Sequence, residues 1–177
     1  AFSMSVGYNV TFLKNEVFEV NNETHYIERG AFSVGQQAPT RMEEGKPIGY
    51  FYGYKTDGIF QNQAEVDAHP SQLALGANAA PGDLRFVDVN GDGVLDSKDR
   101  TNIGDQIPTA TMGFNFQMNY KNLDFAVYTY ASLGNDLIRN YERNLSDVNH
   151  LNYVLDRWTG EGTSNSTPRV TTGATAN

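Results

Sequence analysis

Phe2-Ser3-Met4-Ser5-Val6-Gly7-Tyr8-Asn9-Val10-Thr11-Phe12 alternates apolar with small or polar residues without a break. Successive side chains of a β-strand point to opposite faces, so this stretch makes one apolar face and one polar face. The polar face holds Ser3, Ser5, Gly7, Asn9 and Thr11 and carries no charge. Small uncharged polar residues suit a water-filled lumen, and the apolar band suits lipid. A strand of a soluble β-sandwich is the alternative reading of the same pattern.

The pattern returns further along the chain. Met112, Phe114, Phe116, Met118 and Tyr120 alternate with Thr111, Gly113, Asn115, Gln117 and Asn119. Lys121-Asn122 follows as a turn-prone pair. Leu123, Phe125 and Val127 then alternate with Asp124, Ala126 and Tyr128. Two long strands joined by a tight turn are expected, with lengths that match a bilayer crossing. Tyr120, Tyr128 and Tyr130 suit an interfacial aromatic girdle.

Composition narrows the classes. The chain has 177 residues, 13 Lys+Arg against 21 Asp+Glu, a net charge of -8 and no Cys. Disulfide scaffolds, thiolate metal sites and cysteine nucleophiles are excluded. No basic patch is available to neutralise phosphates, so nucleic acid is not an expected partner. No run of about 18 apolar residues marks a transmembrane helix. The chain opens on Ala1 rather than Met and reads as a processed form or a piece of a longer one. The smallest membrane barrel needs about eight strands, so a barrel reading requires further chain.

Two helices are suggested. One lies within 62–73, capped by Asn62 and broken by Pro70. The other runs from Asn135 to Trp158, with Leu137, Ile138, Tyr141 and Leu145 on one face.

Asp88-Val89-Asn90-Gly91-Asp92-Gly93-Val94-Leu95-Asp96-Ser97-Lys98-Asp99 matches the twelve-residue EF-hand-like calcium loop. Asp88, Asn90, Asp92, Asp96 and Asp99 would offer side-chain oxygens and Val94 its carbonyl. Ca²⁺ takes 6–8 oxygens, and alternate residues of a tightly coiled loop converge on one point. Asp99 stands where a bidentate Glu is usual, which weakens the expected grip. The flanks are not strong helices, so calcium is expected as a structural clip. His25, His69 and His150 have no ligand spacing, and no phosphate loop, nucleophile elbow or HExxH is present, so no enzyme is expected. The run Tyr50, Tyr52 and Tyr54 offers rings for stacking a sugar or peptide, or for packing inside a loop.

Several of these segments resemble one family. Glu44-Gly45-Lys46-Pro47-Ile48-Gly49-Tyr50-Phe51-Tyr52-Gly53-Tyr54-Lys55-Thr56-Asp57-Gly58-Ile59-Phe60 is similar to a stretch of the SusC/RagA-type TonB-dependent outer-membrane transporters of Bacteroidota. Pro81-Gly82-Asp83-Leu84-Arg85-Phe86, the Asp88–Asp99 loop, the Tyr120-Lys121-Asn122-Leu123-Asp124 turn, Arg157-Trp158-Thr159 and Pro168-Arg169 follow in the same order. The resemblance implies an all-β piece from the C-terminal half of a large transmembrane antiparallel barrel of about 22 strands with long extracellular loops. It further implies uptake of oligosaccharides or peptides in the outer membrane, a SusD-like surface lipoprotein as lid, and TonB acting through an N-terminal part not present here. On that reading residues 1–20 are a barrel strand and 21–108 a large extracellular region carrying the calcium loop 88–99. Residues 109–132 are a barrel hairpin, and 133–177 an extracellular loop, partly helical. The alternative is a secreted, calcium-stabilised β-sandwich that binds glycans.

Overall fold

The computed structural model describes residues 2–30, 39–139 and 151–171. Ten regular elements follow one another: β1 (Phe2–Phe12), β2 (Tyr26–Arg29), β3 (Thr40–Glu43), β4 (Tyr50–Tyr54), β5 (Thr56–Ile59), α1 (Gln63–Ala68), β6 (Leu84–Phe86), β7 (Arg100–Gly104), β8 (Ala110–Tyr120) and β9 (Leu123–Leu133). The chain is all-β apart from α1 and three short 3-10 turns among the described residues. Backbone contacts divide it into two units, the described parts of Ala1–Phe51 with Gly104–Ile138, and of Tyr52–Ile103 with Arg139–Asn177.

The first unit holds the sheet that the alternation predicts. Its strand order is β1-β8-β9, antiparallel throughout. Phe2 lies opposite Tyr120, Val6 opposite Phe116 and Tyr8 opposite Phe114. Across the next ladder Tyr120 meets Leu123, Met118 meets Phe125 and Phe116 meets Val127. Directly opposed residues share a face, so apolar residues of all three strands form one continuous stripe. Each strand has 11 residues. At the usual rise and barrel tilt that length spans a band of about 25 Å.

No second sheet covers this stripe among the described residues. Phe2 is 60%, Tyr8 65% and Phe12 79% exposed. An uncovered apolar surface of this extent marks a face meant for another medium or partner.

The hairpin closes through Lys121 and Asn122, with Lys121 at φ +55. The aromatic girdle needs correction. Tyr120 lies on the apolar face, whereas Tyr128 opposes Asn115 and Tyr130 opposes Gly113. Both therefore stand on the polar face, because they sit an odd number of residues from Leu123 and Phe125.

At the other end of the sheet Leu13 N donates to Thr109 O at 2.9 Å and Thr109 N to Leu133 O at 2.9 Å. The chain thus departs after β1 and returns to β8 at neighbouring positions. β2 and β3 pair along Tyr26–Glu43 to Arg29–Thr40, and β3 meets the start of β4 at Thr40–Phe51 and Arg41–Tyr50.

In the second unit β5 pairs with β6 around a bulge between Thr56 and Ile59. Ile59, Phe60 and Leu95 are fully buried. Asn62 caps α1 by accepting from Glu65 N at 3.0 Å, as its sequence position suggests. The helix stops at Ala68 because the residue before Pro70 is pushed to extended backbone, and His69 sits at φ -96, ψ 151.

The longer helix is not formed where it is described. Residues 135–139 carry no helix, and 152–156 form a 3-10 turn. Asp136 instead pairs with Asp105, donating N–H to its carbonyl at 2.6 Å and accepting from its N–H at 3.0 Å. Leu137 is 90% exposed, so the proposed helix face has nothing to cover it. Tyr141 and Leu145 lie outside the described residues.

Candidate functional site

The second unit gathers motifs that are far apart in the chain. Gln61 sits at its centre. Its side-chain amide donates to Ile59 O at 2.9 Å and Ser164 O at 3.1 Å, and its carbonyl accepts from Gly162 N at 2.9 Å and Trp158 Nε1 at 3.3 Å. One amide thereby fastens the 158–164 segment to β5. Beside it Asn165 accepts from Ile59 N at 3.0 Å and lies over Gly58. Gly58 has φ +131 and no room for a Cβ, so both backbone and contact demand glycine there.

Gly82 is held the same way. It has φ +92, and a Cβ would strike the Trp158 ring and the Arg169 side chain. Gly82 N donates to Phe60 O at 2.8 Å, Phe60 N to Asp83 O at 3.0 Å, and Arg169 N to Gly82 O at 2.9 Å. Asp83 is 2% exposed. Its carboxylate accepts from Arg169 Nε at 2.7 Å and Nη2 at 3.1 Å, and from Ala80 N at 2.9 Å. These bonds raise the pKa of Arg169 and lock its charge. Nothing in the spacing of Asp83 and Arg169 announces this pair. The available signal is that each lies in a motif of the resemblance stated above.

A cleft of about 400 Å³ opens between these segments, lined by Gln61, Glu65, Arg85, Glu161 and Asn165 among others. Arg85 bridges its wall, donating through Nε to Asp57 at 2.6 Å and through Nη1 to Glu65 at 3.3 Å.

The acidic loop is tightly wound. Asp88 accepts from Gly91 N at 2.7 Å and Gly93 N at 2.8 Å. Asn90 accepts from Asp92 N and Asp92 from Val94 N. Gly91 and Gly93 take φ +73 and +81, the left-handed region that glycine enters freely. Leu95 is driven into the core. Asp96 accepts from Lys98 N at 2.7 Å. Asp99 is fully buried and joins the two ends of the loop, accepting from Val89 N at 3.0 Å and Asp96 N at 2.8 Å. Burial pushes its carboxyl upward, but hydrogen bonds from the backbone of Asp96, Val89 and Asn90 outweigh that and hold it below the usual carboxylate range. The loop's oxygens are turned onto its own N–H groups. Among the described residues no three Asp, Glu or His side chains stand together as a metal grip.

The aromatic run is largely committed to packing. Tyr50 is 3% exposed and donates its hydroxyl to Glu43 at 2.6 Å. The Arg100 guanidinium lies over the Tyr52 ring at 4.3 Å and donates to Tyr52 O at 3.2 Å. Tyr54 meets Phe86 edge to face at 5.8 Å. Tyr52 and Tyr54 keep part of their surface open. Of the histidines, His25 contacts Glu44 at 3.0 Å, His69 meets the Phe60 ring at 5.1 Å, and His150 lies outside the described residues.

An antiparallel sheet whose apolar stripe is uncovered among the described residues, and a second unit built largely of loops, make a mostly-β chain with one face left for another medium or partner. The comparisons specify it further. The chain is 30% identical over 174 residues to TonB-dependent receptor P3 of Formosa agariphila, covering 95% of this chain and 17% of that protein. It is 32% identical over 161 residues to receptor P26 of the same organism, covering 89% and 16%. It is 27% identical over 150 residues to TonB-dependent receptor SusC of Bacteroides thetaiotaomicron, covering 83% and 14%. No family model matches the chain. The chain is SusC-like, related along most of its length to one stretch of TonB-dependent receptors. It spans about a sixth of the length of the curated relatives it matches.

Replacing Arg169 with Met removes the partner of a buried carboxylate. Breaking such a pair costs about 3 kcal/mol, the lower end of its range here because about a third of the Arg169 side chain is exposed (31%). Hydrogen exchange at the Phe60 and Gly82 amides is expected to accelerate about a hundredfold; unchanged exchange would show that the pair does not hold this unit together.

Proposed function

We propose that this chain is a wall-and-loop segment of an outer-membrane importer. The observation that carries the proposal is the charge-free apolar stripe running across β1, β8 and β9 and left uncovered. Such a face suits hydrocarbon, and the uncharged polar face opposite suits a wet pore. The relation to TonB-dependent receptors supports the same reading. The short Lys121-Asn122 turn then faces the periplasm, and the region from 21 to 108 lies outside the cell.

The whole receptor, on this proposal, takes up oligosaccharides or peptides, works with a SusD-like lipoprotein lid, and receives energy from TonB through a part outside this chain. Tyr52 and Tyr54 are assigned to substrate contact because they retain open surface, whereas Tyr50 is committed to Glu43.

Calcium remains part of the proposal. The residue types suit a hard cation, and oxygens from Asp88, Asn90, Asp92, Asp96 and Asp99 with the carbonyl of Val94 would hold it by turning inward from the loop's own N–H groups. A carboxylate oxygen that accepts one N–H retains a second lone pair. Four aspartates against one lysine leave three net negative charges in twelve residues. A bound ion would neutralise that repulsion and clip the loop. These residues' own part is to coil the loop, close it through Asp99 and anchor it by Leu95.

Two experiments test the proposal. Phe114→Asp in the full-length receptor places a charge on the lipid face, at a cost below the about 2–4 kcal/mol of an Arg or Lys near mid-membrane. Assembly into the outer membrane is expected to fail; normal assembly, or recovery of the parent protein from the soluble fraction, overturns the barrel reading. Asp88→Ala with Asp92→Ala is expected to abolish calcium-dependent protection of residues 82–104 from protease. Equal digestion of the parent with and without chelator would remove calcium from the account.

A further inference from the structure

The acidic loop is tied to the aromatic strand at both of its ends. At its entry Val87 N donates to Lys55 O at 2.9 Å. At its exit Arg100 opens β7, which pairs with β4. The Ile103 side chain of β7 lies 3.0 Å from where a Cβ on Gly53 would stand, so the two strands touch closely at that glycine. The Arg100 guanidinium lies over the Tyr52 ring at 4.3 Å and donates through Nη2 to Tyr52 O at 3.2 Å. One side chain thereby holds both the ring and the backbone of Tyr52. Arginine suits that place because its planar cation can stack and donate at once.

The position of Arg100 is set from inside the loop. Ser97–Asp99 is a 3-10 turn closed by a capping box. Asp96 accepts from Lys98 N at 2.7 Å, and Asp99 accepts from Asp96 N at 2.8 Å. Asp99 also accepts from Val89 N at 3.0 Å and so ties the loop's exit to its entry. Leu95 and Asp99 are both fully buried, which leaves the turn little room to shift. Arg100 is the next residue. The carboxylate that closes the loop and the guanidinium that holds the ring therefore belong to consecutive residues.

We propose that Arg100 is a positioning residue that carries the winding of the acidic loop to Tyr52. The inference rests on the assignment of Tyr52 to substrate contact and adds how that contact is regulated. While the turn is closed, Arg100 fixes the plane of the ring and covers one of its faces. When the turn opens, the ring gains rotamers that a ligand would have to freeze, at a cost in affinity of about two- to tenfold. A cation seated in the loop would favour the wound state and so the ordered ring.

The test uses the full-length receptor in detergent, labelled with fluorotyrosine and observed by fluorine NMR. The Tyr52 line is the one lost in Tyr52→Phe. Asp96→Ala removes the cap of the turn and is expected to speed hydrogen exchange at the Asp99 amide about fivefold. Asp99→Asn is the stronger perturbation, and Asp96→Ala decides the matter should it not assemble. Each is expected to move the Tyr52 line. With Arg100→Met added, exchange in the loop stays fast but the line no longer responds. Arg100→Lys keeps the charge without the planar fork and retains only part of the response. A Tyr52 line that stays in place while loop exchange quickens overturns the proposal, as does a line that moves equally without Arg100. Exchange that quickens in neither variant shows that the cap does not hold the turn and overturns it too. Calcium alone, added to the parent, is expected to move the line opposite to the loop variants. Calcium that protects residues 82–104 from protease yet leaves the line in place overturns the coupling. Absence of that protection ends the calcium reading, and the variants still decide this inference. Unchanged growth of Tyr52→Ala cells on the nutrient this receptor imports removes the contact assignment while the coupling stands.

Discussion

Eleven consecutive residue pairs join β1 to β8 and eleven more join β8 to β9. That ladder fixes everything else in the first unit. Side-chain direction alternates strictly along a strand, so a slip of one residue would exchange the apolar and polar faces. With Val6, Phe116 and Val127 aligned across three strands, such a slip would set phenylalanines among asparagines. The register is therefore strongly specified even though neither face is covered by another layer among the described residues. The same ladder satisfies the backbone N–H and C=O groups of β8 on both sides, which a strand bordering hydrocarbon requires.

The second unit depends on different physics. Its apolar core is small, chiefly Ile59, Phe60 and Leu95. Buried polar groups do the joining. Gln72 is 2% exposed and completes the edge of β6, donating to Leu84 O and accepting from Phe86 N. Gln61 ties β5 to the segment after Trp158, Asp83 takes Arg169, and Asp99 closes the acidic loop. Buried polar groups are tolerated when partnered and are costly when a partner is lost. A unit built this way gains a defined shape for its loops, at the risk that one missing partner loosens several segments.

The two units differ in how much the sequence discloses. The strands were legible because a period of two over eleven residues admits few other conformations. The turn at Lys121-Asn122 and the Asn62 cap follow from local chemistry. Tyr128 and Tyr130 suit an aromatic girdle by residue type, but the parity of β9 sets them on the polar face. The helix expected from Asn135 had a suitable apolar spacing, but Asp136 found a backbone partner at Asp105 and Leu137 found no surface to cover. At the candidate site the Asp88–Asp99 winding was legible from its glycines and carboxylates. The Asp83–Arg169 pair and the Gln61 clamp were not, because they link residues 86 to 103 positions apart whose meeting depends on tertiary structure. Tyr50 shows the same limit: its ring type suggests stacking, and only its burial against Glu43 shows otherwise.

The excursion between β1 and β8 leaves from Leu13 and returns at Thr109, which are hydrogen-bonded to each other. An inserted segment whose two ends meet at one rung asks nothing of the sheet beyond that rung. Its length and content can change by recombination while the strand pairing below stays as it was. A graft of this excursion therefore has its joints at the same two residues and has to bring residues 158–169 with it, because Gln61 and Asp83 inside the excursion hold Ser164 and Arg169 beyond β9.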